Sequence, residues 1–333
     1  MSTGQLNPSP WLLADIGATN ARLGVMTRAD APITALGTWP TQDFDNLAAL
    51  IHAVLAQNPA LAPRTLACAL ASPINGDQVT LTNAGWQFSI EATRQALGLD
   101  RLVVINDWVA QGWLIAGDQP DGIDTLHPGE AMASAPRLAL GPGTGLGSAL
   151  VTPYGQNDAV FATEGGHISF APATAREAKV VAAIQSTYGH CSAERVASGL
   201  GLETLDAVLR SLDGRVAEGL EAKAVQQAAA AGDTSAREAI ALMTQALGSV
   251  AGDLALATGA RGGIYWGGGL IPALGEQFNW AALLERFQAK GRFRDYLAAI
   301  PHYLITADQP ALRGLSRYLA ASAHQARISA RTA

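Results

Sequence analysis

Short apolar runs broken by turn-forming residues recur from the start of the chain, and their spacing predicts an alternation of strands and helices. "WLLADIG" and "ARLGVMT" read as two strands joined by a tight turn, and "DFDNLAALIHAVLAQ" carries apolar residues at three- and four-residue steps, which predicts a helix. "RTLACALASPI" and "QVTLTNAGW" predict further strands, followed by a helix over "SIEATRQALG" and a short buried strand over "RLVVIND". The Gly-, Pro- and Asp-rich segment "AGDQPDGIDTLHPGE" is the best linker candidate. Beyond it come "RLALGPGTGLGSALVT", a helical region over about 175–258, "GGIYWGGGLIP" and more helix. An amphipathic closing helix follows over "PALRGLSRYLAASAHQA". The pattern is that of an α/β protein in two lobes.

Composition narrows the function classes. At 333 residues the chain exceeds what one hydrophobic core usually organises, and with 49% hydrophobic and 15% charged residues it can fill two. A net charge of -6, with no basic stripe, argues against a nucleic-acid partner. The opening "MSTGQLNPSP" lacks the basic and apolar regions of a secretion signal, and the alanine-rich stretches are broken by Gly, Asp or Arg, so no membrane span and a cytoplasmic location are expected. Cys68 and Cys191 are too few for a disulfide framework or a structural zinc site and read as reduced thiols.

Two glycine turns stand in matching places, Asp15-Ile16-Gly17-Ala18-Thr19 in the first lobe and Gly141-Pro142-Gly143-Thr144-Gly145-Leu146-Gly147 in the second. Glycine lets a phosphate approach backbone N–H groups, and Thr19, Asn20 and Thr144 add polar side chains. Either turn alone is also what an ordinary hairpin uses. A Walker loop is excluded because no Gly-Lys precedes a Ser or Thr, and the dinucleotide fingerprint fails at Leu146. The residues after each turn are strand-like, so the pair implies a hairpin clamp.

Asp15 inside an apolar run costs several kcal/mol unless paired or metal-bound, and near phosphates its natural partner is Mg²⁺ through water. Asn106 and Asp107 close another apolar strand. A carboxylate there can take a proton from an attacking hydroxyl, or the pair can cap the next helix, and on these residues alone the two readings stand level. Glu164 and His167 in "TEGGHISF" and Glu194 in "GHCSAERVASG" supply the mixed donors and acceptors that a neutral polyol needs, although each alone reads as a surface group. His190 and Cys191 near Glu194 lack enough ligands for a closed metal site, and an exposed Cys191 thiolate would make the segment oxidation-sensitive.

The order "DIGATNARL", "LTNAGWQFS", "VINDW", "GPGTGLG", "EGGHISF", "GHCSAERVASG" and "GGGLIP" resembles the bacterial glucokinases of the hexokinase superfamily, from about Leu12 to His324. The resemblance implies a two-lobed actin-like ATPase fold, ribonuclease H-like in each lobe, with the active site in the interdomain cleft. A small domain would comprise residues 1–117 and 309–333, and a large one 118–308. It implies ATP and Mg²⁺, glucose as the small-molecule substrate, and a homodimer. Asp15, Gly17, Ala18, Thr19 and Asn20 match the first phosphate hairpin, with Asp15 towards Mg²⁺. Gly143, Thr144 and Gly145 match the second phosphate loop, and Gly267, Gly268 and Gly269 the segment beside adenosine. Asp107 matches the catalytic base, while Asn106, Glu164, His167 and Glu194 match the residues that hold the sugar. The implied reaction moves the γ-phosphoryl group of ATP to the 6-hydroxyl of glucose, feeding glycolysis, with lobe closure excluding water.

The chain departs from the family pattern in places. Ala18 replaces a second glycine, which costs on the order of 1 to 2 kcal/mol if the backbone there needs a positive φ. Pro142 removes an N–H, and Trp108 and Trp113 are bulky for their positions. These departures admit a sugar-binding or regulatory paralogue with weak turnover, and a kinase for another hexose fits the same polar residues. A sugar-responsive DNA-binding repressor would need a helical reading module, and barely ten residues precede the first strand.

Overall fold

A computed structural model of the chain describes residues 9–27, 31–81, 84–117, 121–155, 157–217 and 219–332, with side chains described as far as 322. The chain divides into two compact units, residues 1–120 with 307–333, and residues 121–306. Three residues near the start of the expected linker, 118–120, and Thr82 and Asn83 of "LTNAGWQFS" lie outside the described residues.

The first unit opens with β1 (Trp11–Ile16), β2 (Asn20–Met26) and β3 (Thr34–Pro40), followed by α1 (Leu47–Gln57) and β4 (Thr65–Leu70). A small hairpin, β5 (Gln78–Leu81) and β6 (Trp86–Ser89), leads to α2 (Ile90–Ala96), β7 (Arg101–Asn106) and α3 (Asp107–Ile115). The main sheet has the order β3-β2-β1-β4-β7. β1 runs antiparallel to β2 and parallel to β4, which pairs in parallel with β7. Because successive side chains on a strand point to opposite faces, β1 serves two cores. Leu12, Ala14 and Ile16 pack with Leu47, Leu50 and Ile51 of α1, whereas Leu13 packs with Ala110 of α3. The same alternation puts Asp15 on the Leu13 face. Helix starts follow their caps: the side chains of Asn46 and Ser89 accept from Ala49 N–H and Ala92 N–H.

The second unit contains β8 (Ile123–His127), β9 (Arg137–Pro142), β10 (Leu146–Tyr154) and β11 (Asn157–Thr163), then α4 (Ala175–Tyr188), α5 (Gly199–Leu212), α6 (Ala222–Ala230) and α7 (Thr234–Thr258). β12 (Ile264–Trp266), α8 (Leu270–Leu274), α9 (Trp280–Gln288), α10 (Arg294–Ala298) and β13 (His302–Ile305) complete it. Its sheet has the order β11-β10-β9-β12-β13-β8. β9 pairs antiparallel with β10 and parallel with β12, so the β3-β2-β1-β4-β7 order is repeated and β8 is added at the far edge. The weak repeat of two glycine turns is therefore a repeat of two whole sheets. By length and composition alone helix α7 would be long and apolar enough to cross a membrane. Its Met243, Leu247, Val250 and Ala251 lie in the core of this unit, which explains the composition.

The closing helix α11 (Pro310–Thr332) returns to the first unit, where Leu312, Leu315 and Leu319 pack with Leu13, Ala67 and Ala110. Gly314 sits against the Ala110 carbonyl oxygen of α3, where a Cβ would collide. Part of the expected linker is not a linker: residues 123–127 form β8, paired antiparallel with β13.

Candidate active site

In the first unit the β1–β2 hairpin closes with a hydrogen bond from Gly17 N–H to the Asn20 carbonyl at 2.9 Å, leaving Ala18 and Thr19 at the tip. The one non-glycine residue with positive φ among the described residues is Gln309, so Ala18 carries no left-handed strain and its methyl costs the backbone nothing. Thr41, fully buried, fixes the loop from β3's end. Its N–H donates to the Thr19 carbonyl at 2.9 Å and its hydroxyl to the Gly17 carbonyl at 3.1 Å. Two of the turn's carbonyls are thereby tied back by Thr41.

Asp15 stands directly across the ladder from Arg22, and the two form an ion pair at 3.5 Å. Burial raises the Asp15 carboxyl above the ordinary carboxylate range, with the Arg22 charge and hydrogen bond opposing.

Of the two readings that the sequence left level, the helix cap is the one the structure shows directly. Asn106 is the cap of α3, its Oδ1 accepting from Trp108 N–H at 2.9 Å and Val109 N–H at 3.2 Å. Its Nδ2 donates to Asp107 Oδ1 at 2.9 Å, and Trp108 N–H donates to the same oxygen at 3.0 Å. One Asp107 oxygen is thus held at the helix start. Burial, and then the negative charge of Asp15, push the Asp107 carboxyl up to about 7, against the pull of the hydrogen bonds from Trp108, its own N–H and Asn106. A carboxylate near neutrality is suited to exchange a proton at working pH. Trp113 meets Tyr318 of α11 edge-on with ring centroids 5.5 Å apart, so its bulk fills the α3–α11 seam.

In the second unit three loops are laced into one assembly. Gly199 N–H and Leu200 N–H, the first amides of α5, donate to the Gly143 and Thr144 carbonyls at 2.9 and 3.1 Å. Glu194 Oε2 accepts from Leu146 N–H at 2.9 Å, and a Cβ on Gly145 would strike that same oxygen. The Glu194 N–H donates to the Gly166 carbonyl at 2.8 Å, which joins "EGGHISF" to both. Glu164 and His167 approach to 3.9 Å, with side chains 60% and 61% exposed. Gly268, at φ +85°, lies against the Pro142 carbonyl oxygen, where a Cβ would collide, and Gly267 N–H donates to the Leu140 carbonyl at 3.0 Å. Gly269 precedes α8 as its N-terminal cap residue. The phosphate-loop, sugar and adenosine candidates of this unit therefore adjoin one another.

A cavity of about 250 Å³ opens beside them, with His167 and Glu194 in its lining. Cys191 is buried, and burial pushes its thiol up to about 11, so the oxidation-sensitive reading fails. His190 Nε2 is hydrogen-bonded to Ser169 Oγ at 3.0 Å. Among the described residues no three His, Cys, Asp or Glu side chains stand close enough to form a metal nest. Mg²⁺ does not require one, since it keeps several waters and takes one or two carboxylates together with phosphate oxygens. Asp15, part-exposed and held by one long ion pair, fits that role. Sequence reasoning missed Arg22 and Thr41, because a lone Arg or Thr carries no motif; Arg22 was open to detection as the residue opposite Asp15 in the predicted hairpin.

A glucokinase from an Antarctic psychrotroph has a similar structure, with a TM-score of 0.81 and 34% identity, covering 93% of this chain and 98% of that one. A ROK family glucokinase from Streptomyces griseus, in complex with glucose and AMPPNP, shares the fold with a TM-score of 0.60 and 20% identity, over 92% of this chain and 98% of that one. The doubled sheet with its two glycine hairpins is thus the actin-like ATPase fold as sugar kinases use it. A family model described as Glucokinase matches residues 12–322. The glucokinases of Aromatoleum aromaticum and Chromobacterium violaceum are each 41% identical over 321 residues, 96% of this chain and 97% and 92% of theirs. The chain belongs to the glucokinase family, whose members phosphorylate sugar.

Proposed function

We propose that the protein transfers the γ-phosphoryl group of ATP to the 6-hydroxyl of glucose, giving glucose 6-phosphate and ADP, with Asp107 as general base. The observation that carries the reading is the Asp107 carboxyl, held by Asn106 and Trp108 and lifted to about 7. The glucose and AMPPNP bound by the Streptomyces griseus relative support the choice of both substrates.

Asp107 accepts the proton of the 6-hydroxyl as the new O–P bond forms and the bond from the γ-phosphorus to the ADP oxygen breaks. Asn106 fixes the Asp107 oxygen, and with Glu164, His167 and Glu194 it supplies donors and acceptors for the sugar hydroxyls. In the first unit the turn of Gly17, Ala18 and Thr19, with Asn20, faces the phosphates. In the second, Gly143, Thr144 and Gly145 do the same, and Gly267, Gly268 and Gly269 border the adenosine. Asp15 would hold Mg²⁺ through water, and the ion when bound would supply positive charge to the phosphates. The proposal extends to a homodimer in the cytoplasm that feeds glycolysis.

The test is ADP release with Mg-ATP across a panel of hexoses, wild type beside Asp107→Asn. Release that depends on glucose and falls by roughly 10² to 10⁴ in the variant is expected. Near-normal turnover of the variant removes Asp107 from the role, and preference for another hexose changes the substrate.

A further inference from the structure

The segment from Gly189 to Ser198 between α4 and α5 is a rigid wall. Its Cys191 carbonyl accepts from Phe170 N–H at 2.9 Å, and its Ala193 and Glu194 N–H groups donate to the Ile168 and Gly166 carbonyls at 2.9 and 2.8 Å. This wall and the start of α5 enclose the cavity of about 250 Å³, whose lining includes His190, Arg195 and Thr204 as well as His167 and Glu194. The proposed function uses the last two and leaves the rest without a role.

Arg195 is the most informative of these. Its guanidinium carbon lies 3.6 Å from the centroid of the Tyr188 ring. Among the described residues it forms no ion pair, whereas Arg176, Arg210, Arg215 and Arg286 of the same unit each meet a carboxylate. A guanidinium held over an aromatic face keeps N–H donors that an anion can take. His190, oriented by Ser169 through Nε2, has Nδ1 left to offer. The cavity thus pairs hydroxyl-binding groups with a preset cation. Its volume is close to the lower end of small-ligand pockets, about 300 Å³, which suits a monosaccharide with one small substituent and not a nucleotide.

We propose that this cavity binds a hexose monophosphate, its ring hydroxyls on His167 and Glu194 and its phosphoryl group on the Arg195 fork, and that such compounds compete with the neutral sugar. The inference rests on the reading of His167 and Glu194 as sugar residues.

Calorimetry without nucleotide tests it, using glucose, glucose 1-phosphate, glucose 6-phosphate and inorganic phosphate against the full chain and Arg195→Gln. At least one hexose phosphate is expected to bind wild type, displaceable by glucose, and to weaken roughly ten- to a hundredfold in the variant relative to glucose, as expected for loss of a charge-assisted contact. Which phosphate isomer responds tells which end of the sugar meets Arg195. Arg195→Lys should recover part of the loss. Binding of neither hexose phosphate to wild type overturns the proposal, as does an equal loss for glucose and hexose phosphate, or inorganic phosphate binding alone at the same strength. Glu194→Gln separates the two failures. If it leaves glucose affinity intact, the sugar reading itself has failed; if it weakens glucose while Arg195→Gln spares the hexose phosphate, the fault lies with the anion subsite alone.

Discussion

Replacing Asp15 by Asn removes the negative charge that, after burial, does most to hold the Asp107 carboxyl at about 7. The lift from the ordinary 3.8 to about 7 corresponds to on the order of 4 kcal/mol, at about 1.4 kcal/mol per pH unit. Burial outlasts the substitution, so Asp107 stays above the ordinary range while losing roughly one pH unit, the scale of a nearby like charge. The assay is kcat/KM for glucose against pH, whose acid limb reports the free enzyme's base. Wild type should rise through about pH 7, and Asp15→Asn should rise earlier. A lower maximum in the variant, which the proposed Mg²⁺ role of Asp15 predicts, does not affect the position of the limb. The same group predicts stability. With a folded value raised above the unfolded one, its contribution is full below about 3.8 and is lost as pH climbs through about 7. Asp107→Asn does not titrate, so in urea unfolding it should gain on wild type above neutrality, by at most about 4 kcal/mol. An acid limb that stays in place or moves upward in Asp15→Asn would refute the coupling of the two carboxylates.

Other expectations follow from individual contacts. Thr41→Val keeps the volume but drops the hydroxyl's bond to the Gly17 carbonyl; the KM for ATP should rise by roughly tenfold with the KM for glucose little changed, and Thr41→Ser should restore it. Gly268→Ala forces a Cβ onto the Pro142 carbonyl at a positive φ, which should lower thermal stability by roughly 1–3 kcal/mol and raise the KM for ATP. Ala18→Gly relieves no strain, since φ there is not positive, so ATP affinity should not improve and stability should fall by about 0.4–1 kcal/mol; a marked gain in ATP affinity would return the methyl to the phosphates' path.

The buried centre of each sheet was legible because its strands carry an unbroken apolar signal: β1, β4 and β9 were all visible as short hydrophobic runs, and so was the apolar edge strand β7. The polar edges were not. β3 is nearly all exposed, and β8 lies in a stretch of Gly, Pro and Asp, so neither shows a buried face from which period two could be read. The same contrast holds for the site. Asp15 and Asp107 stood out because a carboxylate in an apolar run needs a reason, and the glycines of "GGGLIP" stood out by their density, with Gly268 later explained by the Pro142 carbonyl. Thr41 was invisible because its importance lies in two carbonyls more than twenty residues away. Asn106 showed its type but not its double use, as helix cap through one amide atom and as holder of Asp107 through the other.

The return of α11 to the first unit has a consequence for the order of assembly during synthesis. The strands of β1 and β4 leave the ribosome long before Leu312, Leu315 and Leu319, the residues that cover the Leu13 and Ala67 face. Residues 121–306 form a continuous stretch and can complete their own core first. The unit that is begun earliest is therefore finished last, and until α11 arrives the nascent chain exposes an apolar sheet face of the kind that chaperones bind.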